Sequence, residues 1–80
     1  MSRKDINDYM KLSYEIVIRE DPHGGFFAKV EELEGCMTQG ETYDETSRNI
    51  VEAMELWLEA SIEMAMEIPE PEPAFKLAPL

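Results

Sequence analysis

Alternation of apolar and polar residues in the first part of the chain predicts two β-strands. In the run Leu12–Glu20, Tyr14 and two isoleucines share one face, and polar residues with one valine occupy the other. The run Phe26–Glu32 alternates in the same way. Between the runs, Asp21–Gly25 contains a proline and two glycines, which suit a tight turn. The pattern predicts an antiparallel hairpin.

The chain after this hairpin predicts a turn, a short strand and the start of a helix. Glu34-Gly35 is a turn pair, and Cys36–Gln39 is a short third strand that Gly40 stops. Thr42 followed by Glu45 has the spacing of a capping box, in which each residue bonds the backbone of the other. We therefore expect a helix to begin at Thr42.

Apolar residues at three- and four-residue steps predict that this helix continues to about Glu67. The expected core-facing stripe is Ile50, Met54, Trp57/Leu58, Ser61 and Met64/Ala65. A row of glutamates recurs on the opposite side: Glu52, Glu55, Glu59 and Glu63. The prolines of Ile68–Pro73, which include Pro69 and Pro71, cannot continue a helix.

Both ends of the chain give weaker patterns. Residues 1–12 are read as an N-terminal arm or a short helix, because Ile6, Tyr9 and Met10 fit one side of a helical turn. Ala74–Leu77 alternates weakly and is compatible with a fourth strand at the sheet edge. The expected fold of residues 13–80 is a single α+β domain, with a three-stranded antiparallel sheet packed on one long helix.

Length and cysteine content limit how such a domain is stabilised. A chain of 80 residues buries a thin core, so we expect self-association as a dimer or tetramer. Cys36 is the sole cysteine, which excludes an internal disulfide and favours a reduced, cytoplasmic setting. The sequence lacks an apolar run of the roughly 18 residues that would span a membrane and lacks the apolar core of a signal peptide.

Charge narrows the classes of partner. The net charge of −11 disfavours direct binding to nucleic acid, whose phosphates attract Lys and Arg. An acidic surface suits a basic protein partner. The alternative is that the excess of acids only keeps a small protein soluble.

A search for catalytic, cofactor-binding and metal-binding residues yields none. The glutamate row is more typical of a solvated helix face than of a metal site, which needs oxygens converging from several elements. His23 lies in a turn without a nucleophile nearby in sequence, and Cys36 is typical of a small buried hydrophobe. The glycines do not have the spacing of a phosphate-binding loop.

Three blocks in order resemble the HicB-like antitoxin family. Tyr14–Ile18 through Gly25-Phe26-Phe27-Ala28 is similar to its opening hairpin, and Leu33–Thr42 is similar to its L-P-G-C-x-T-x-G-x-T segment. The helix and its proline-rich exit, from Asp44-Glu45 to Pro71, are similar to the third block. The motif residues are Gly25, Phe26, Gly35, Cys36, Gly40, Thr42, Glu45, Pro69 and Pro71.

Two substitutions depart from this pattern. Glu34 stands where the family usually has Pro, and Thr46 where Ala is usual. We expect both to be tolerated, the first in a turn and the second on the helix surface.

The resemblance implies a partial RNase H-like fold without nuclease activity. It also implies a partner, since such proteins neutralise a small basic HicA-type mRNA-cleaving toxin by covering its active surface. Many members carry a further DNA-binding domain, for which we expect no room before Leu80. The acidic residues Glu52, Glu55, Glu59 and Glu63 are the candidate contacts for the toxin.

The leading hypothesis is thus a non-enzymatic antitoxin or a solitary relative of such antitoxins. One alternative is an oligomeric regulator that associates with nucleic acid through Arg3 and Lys4. A less favoured alternative is a vestigial metal-dependent nuclease that uses Glu15 or Glu31. The candidates for core or subunit interface are Trp57, Leu58, Ile62 and Phe75.

Overall fold

A computed structural model describes residues 5–71 of the protein, and this part of the chain contains three strands and two helices. The elements in chain order are α1 (Ile6–Met10), β1 (Ile16–Glu20), β2 (Phe26–Val30), β3 (Met37–Gly40) and α2 (Tyr43–Glu63). The sheet is antiparallel with strand order β1-β2-β3. This confirms the predicted α+β arrangement. The fourth strand predicted at Ala74–Leu77, and with it Phe75, lies outside the described residues.

Among the elements of residues 5–71, α2 covers one face of the sheet and none covers the other. On β2, Ala28 and Val30 are fully buried beneath α2, whereas the Lys29 side chain between them points away from the helix. The register pairs Ala28 with Ile18 and with Thr38, so these residues share the buried face. Val17, Phe27, Lys29 and Met37 lie on the other face.

The core forms between this sheet face and α2. Its members are Tyr14, Ala28, Val30, Leu33, Cys36, Ile50, Met54 and Leu58. The half-buried side chains of Ile6, Tyr9 and Met10 pack against it from α1, where the sequence predicts a short helix. The hydroxyl of Tyr14 donates to the Pro69 carbonyl at 2.6 Å, which ties the segment after α2 to the start of the sheet.

The connection between β2 and β3 is made of two consecutive turns. The amide of Leu33 donates to Val30 at 3.2 Å, and the amide of Cys36 donates to Leu33 at 3.0 Å. The predicted second strand is therefore too long, since β2 ends at Val30 and not at Glu32. Leu33, only 1% exposed, turns into the core and draws the chain out of the strand.

The second of these turns explains a family preference. Gly35 has a φ of +83° at its third position, which defines a type II turn and requires a residue tolerant of positive φ. Glu34 occupies the second position, where proline is favoured in type II turns. The usual Pro at this site therefore has a backbone reason, and Glu34 fills the same position.

The N-terminal end of α2 is packed against the end of β3. Thr42 caps the helix, and its side chain accepts a hydrogen bond from the Glu45 amide at 3.1 Å. The other half of the predicted capping box is wrong, because the Glu45 carboxylate accepts from the Glu41 amide instead, at 2.7 Å. Thr46 was expected on the helix surface but is fully buried, and its hydroxyl donates to the Thr42 carbonyl at 2.8 Å.

The C-terminal end of α2 comes four residues earlier than predicted, at Glu63 rather than Glu67. Ala65 has a φ of +55° and its amide donates to Ile62, while the Met66 amide donates to Ser61 at 2.9 Å. These two bonds form a Schellman motif, which closes a helix. Met64 was predicted in the core stripe and is instead 69% exposed, because it lies beyond the last turn.

Candidate partner-binding face

The outer side of α2 presents the predicted row of glutamates to solvent. Glu52, Glu55, Glu59 and Glu63 are all exposed, and they lie opposite the buried stripe formed by Ile50, Met54 and Leu58. Residues three or four apart on a helix have Cβ atoms about 5–6 Å apart. The four carboxylates therefore form one continuous strip along the helix, which we call the acidic strip.

Charge on the strip is poorly balanced. The sequence of α2 contains six carboxylates and a single cation, Arg48. Within residues 5–71 the ion pair of Lys29 with Glu31, at 2.9 Å, lies elsewhere, and so does the approach of the His23 ring to the Asp21 carboxylate at 3.6 Å. The strip thus presents a negative field that suits a cationic surface.

Leu56 is an exposed apolar residue beside the acidic strip that the sequence pattern missed. It is 67% exposed and lies between Glu52 and Glu59 on the same side of the helix. Single exposed apolar residues are common on protein surfaces, and Leu56 belongs to the candidate face because of its position beside the acidic strip. The sequence feature that could have identified Leu56 is that this apolar residue falls outside the core stripe of an amphipathic helix.

The family-motif residues stand apart from this strip and shape the backbone. Gly25 has a φ of +77°, and a Cβ on it would come within 2.6 Å of the Gly40 carbonyl oxygen. A Cβ on Gly40 would come within 2.6 Å of the Thr46 hydroxyl. The ring of Phe26 contacts that of Tyr43 edge-on at 6.0 Å. This cluster fixes where α2 starts relative to the hairpin.

Trp57 connects the middle of α2 to the turn at Gly35. Its indole nitrogen donates to the Glu34 carbonyl at 3.0 Å. Of the other residues named as core or interface candidates, Leu58 is fully buried and Ile62 is half-buried. The helix is therefore held along its length, and the acidic strip has a rigid support.

The other residues considered for catalysis, Cys36 and His23, have surroundings that are typical of structural residues. Cys36 is 3% exposed and burial raises the pKa of its thiol, so the thiol stays protonated at neutral pH and is a poor nucleophile. The His23 side chain is 96% exposed at the tip of the hairpin, and its amide donates to the Asp21 carboxylate at 2.8 Å. Both surroundings favour the non-catalytic interpretation of these residues.

Of the two residues named for a nuclease, Glu31 has a carboxylate with a local partner, and Glu15 bonds through its backbone. Glu31 pairs with Lys29 at 2.9 Å, and Glu32 accepts from the Glu15 amide at 3.0 Å. Across the described part of the chain, no three His, Cys, Asp or Glu side chains are grouped as metal ligands would be. A groove of about 540 Å³ beside Gly25 is lined by glycines with Gln39 and Glu41, which brings one ionisable side chain to it.

These features define a small acidic α+β protein with a long helix whose outer side is exposed. The chain belongs to the HicB-like antitoxins of bacterial toxin–antitoxin systems, whose family model matches residues 14–78. It is similar to two UPF0150 proteins of Synechocystis. The first is 34% identical over 72% of this chain and 73% of the relative, and the second is 42% identical over 62% and 68%.

A third relative extends the similarity to another bacterium. A UPF0150 protein of Helicobacter pylori is 52% identical over 52% of this chain and 57% of its own length. Membership of the family supports an antitoxin-type role. Among the helices of residues 5–71, none combines the length and apolar character that crossing a bilayer requires.

Proposed function

We propose that this protein is a non-enzymatic antitoxin that binds and neutralises a small basic HicA-type mRNA-cleaving toxin. The observation that carries the proposal is the match of residues 14–78 to the HicB-like antitoxin family. We also infer from the lone buried Cys36 that it works in a reducing, cytoplasmic setting.

The acidic strip supports the identity of the partner. A toxin that cleaves RNA needs Lys and Arg to contact phosphates, so its active surface is cationic. Glu52, Glu55, Glu59 and Glu63 offer the opposite charge at regular spacing, and opposite fields accelerate association. Bound there, the antitoxin covers the surface that the RNA would occupy.

The rigidity of α2 supports the mode of binding. The Thr42 cap, the buried stripe and the bond from Trp57 to the Glu34 carbonyl hold the helix before any partner arrives. A pre-organised surface loses less conformational entropy on binding. Leu56 then provides an apolar contact in the middle of an electrostatic interface.

Co-expression with any short, Lys- and Arg-rich protein encoded beside this chain tests the proposal. We expect the two proteins to co-purify and the antitoxin to restore growth that the basic protein arrests. Replacing the four glutamates of the acidic strip by Gln should weaken binding at least tenfold at low salt and flatten its salt dependence, as measured by titration calorimetry.

A matched control separates the strip from the overall charge. Glu20, Glu31, Glu34 and Glu67 are exposed and lie off the strip, so their replacement by Gln removes the same number of charges. Equal loss of affinity in both variants would remove the assignment of the strip. Absence of a complex and of growth rescue would remove the antitoxin role and leave a solitary relative of the family.

A further inference from the structure

Helix α1 lies on the surface of the domain that this chain shares with its family. The family model begins at residue 14, whereas α1 spans Ile6–Met10. Three of its side chains nevertheless pack against the core, and α1 lies against α2. The surface beneath α1, which we call the docking surface, therefore belongs to the shared domain, and the helix that covers it does not.

One side of α1 makes this contact. Its apolar residues Ile6, Tyr9 and Met10 occupy positions i, i+3 and i+4 and are half-buried, whereas Asn7 and Asp8 are exposed. None of the α1 side chains is fully buried. An amphipathic helix with its apolar side laid on a preformed surface is a common mode of peptide recognition. Helix α1 therefore has the form of a bound ligand that is covalently attached.

Helix α1 is too short to be stable without the docking surface. Isolated helices shorter than about 12 residues are marginal in water, and α1 has 5 residues. Asp5 and Asp8 form a capping box with both hydrogen bonds at 3.1 Å, which satisfies amides of the first turn. We therefore expect α1 to unfold when it leaves the surface, as one local opening event.

Contacts that do not involve α1 hold the docking surface in place. The Tyr14 hydroxyl donates to the Pro69 carbonyl at 2.6 Å, and Ile68 packs against the core. Helix α2 is fixed at its start by the Thr42 cap and in its middle by the hydrogen bond of the Trp57 indole. We expect the surface to keep its shape when α1 leaves, so another helix can bind with little reorganisation.

Charge makes α1 a weak occupant of this surface. The chain has a net charge of −11, and α1 with its two capping residues contributes two carboxylates and one amine. Burial, and then the charges of Glu70, Tyr9 and Glu32, raise the pKa of Tyr14 to about 12, so these groups lie close together. A helix with the same apolar spacing and a cationic outer side would be attracted to this acidic surrounding.

We propose that α1 occupies a helix-binding surface within its own chain, and that a basic amphipathic helix of a partner protein displaces it. The displacing helix has apolar residues at i, i+3 and i+4, and Lys or Arg where α1 has Asn7 and Asp8. Weak competitors are excluded, because the short tether gives α1 an effective concentration on the order of millimolar. The proposal uses none of the glutamates of the acidic strip, so it is independent of the proposed antitoxin role.

A release variant separates α1 from the docking surface. Ile6→Ser/Met10→Ser removes two apolar contacts of α1 and leaves residues 14–71 unchanged, so we expect a folded domain with an unfolded arm. Hydrogen exchange followed by NMR should show that the α1 amides lose protection while the α2 amides keep it. Asp5→Ala weakens only the cap and should shift α1 toward the open state by about fivefold.

A synthetic peptide tests whether the released surface binds a helix. The probe copies residues 2–13 with Asn7→Lys and Asp8→Lys, and it is titrated into the full-length chain while the amide resonances are recorded by NMR. The release variant should bind the probe at least about tenfold more tightly than the original chain, in which α1 competes. Resonance shifts should appear at Tyr14 and Ile68 and should spare the turn between β1 and β2.

Two control peptides separate apolar spacing from charge. A scrambled probe of the same composition loses the spacing at i, i+3 and i+4, so the release variant should bind it at least about tenfold more weakly. An unchanged copy of residues 2–13 keeps the spacing and is less basic. We expect this copy to bind severalfold more weakly than the probe at low salt, and the difference should shrink at high salt.

The following results would overturn the proposal. Equal protection of α1 and α2 amides in the original chain, or unfolding of the release variant, would show that α1 is an integral part of the core. Equal affinity of the original chain and the release variant would place the peptide elsewhere. Absence of binding, or equal binding of the scrambled probe, would remove the helix-binding surface. Equal affinity for the probe and the unchanged copy at low salt would reject a basic partner.

Discussion

The two ends of α2 are built in different ways, and the sequence pattern predicts one better than the other. At the N-terminal end, side chains specify the geometry. Thr42 caps the helix, and the Glu45 carboxylate accepts a hydrogen bond from the Glu41 amide. At the C-terminal end, a backbone motif closes the helix around Ala65, a residue with no special preference for that conformation. A helix end that side-chain hydrogen bonds specify can be recognised in the sequence by its residue types. A helix end that backbone hydrogen bonds specify need not contain characteristic residues.

The largest expected effect tests the N-terminal end. Gly40→Ala places a methyl group 2.6 Å from the Thr46 hydroxyl and 3.0 Å from the Thr46 amide, so we expect a loss of about 2 kcal/mol in the free energy of unfolding. Urea denaturation measures it. The double variant Gly40→Ala/Thr46→Ala removes the nearer contact and should recover part of the loss. Simple additivity of the two single changes would contradict this packing account.

A smaller effect tests the segment that follows the C-terminal end. Tyr14→Phe removes the hydroxyl that donates to the Pro69 carbonyl, and should cost about 1 kcal/mol at pH 8. Burial, and then the negative charge of Glu70, raise the pKa of Tyr14 from 10.0 to about 12.

The raised pKa of Tyr14 gives this prediction a pH dependence. The folded protein holds the phenolic proton more tightly than the unfolded chain, so its stabilising effect is complete below pH 10. The effect is lost as pH rises from about 10 to 12. Urea unfolding between pH 8 and 11 should show the gap to Tyr14→Phe narrowing at the alkaline end. A gap that stays constant would reject the pKa shift as its cause.

The smallest expected effect is a gain in stability at the C-terminal end. Ala65 has a φ of +55°, a region that costs residues with a Cβ about 1 kcal/mol and that glycine adopts freely. Ala65→Gly should therefore raise the free energy of unfolding by several tenths of a kcal/mol to about 1 kcal/mol. Ala60→Gly, at an exposed position inside the helix, should lower it by about 1 kcal/mol. Destabilisation by both substitutions would show that position 65 does not hold the positive φ.

The sequence predicts the order of the elements because the periods are clear. Alternation in Leu12–Glu20 and Phe26–Glu32, with a Gly-containing turn between them, leaves the antiparallel hairpin as the simplest arrangement. The sequence predicts less well which residues become buried when the elements pack together. Thr46 reads as a surface residue by its polarity, yet the tight approach of Gly40 buries it, and its hydroxyl finds a partner within its own helix.

The sequence likewise predicts some residues of the candidate site and misses others. The acidic strip is visible because four glutamates recur at helical spacing, and the structure exposes all four. Leu56 escapes the pattern because one apolar residue on a polar face has no period of its own.

The bond between Trp57 and the Glu34 carbonyl has a practical consequence. The chain contains one tryptophan, so its entire indole fluorescence arises at the contact between α2 and the turn that joins β2 to β3. The emission therefore reports whether the helix and the sheet remain packed against each other. Far-ultraviolet circular dichroism measures the helix content and does not report this packing. Because the acceptor is a backbone carbonyl, this optical probe survives side-chain substitution at Glu34 and is available without any label.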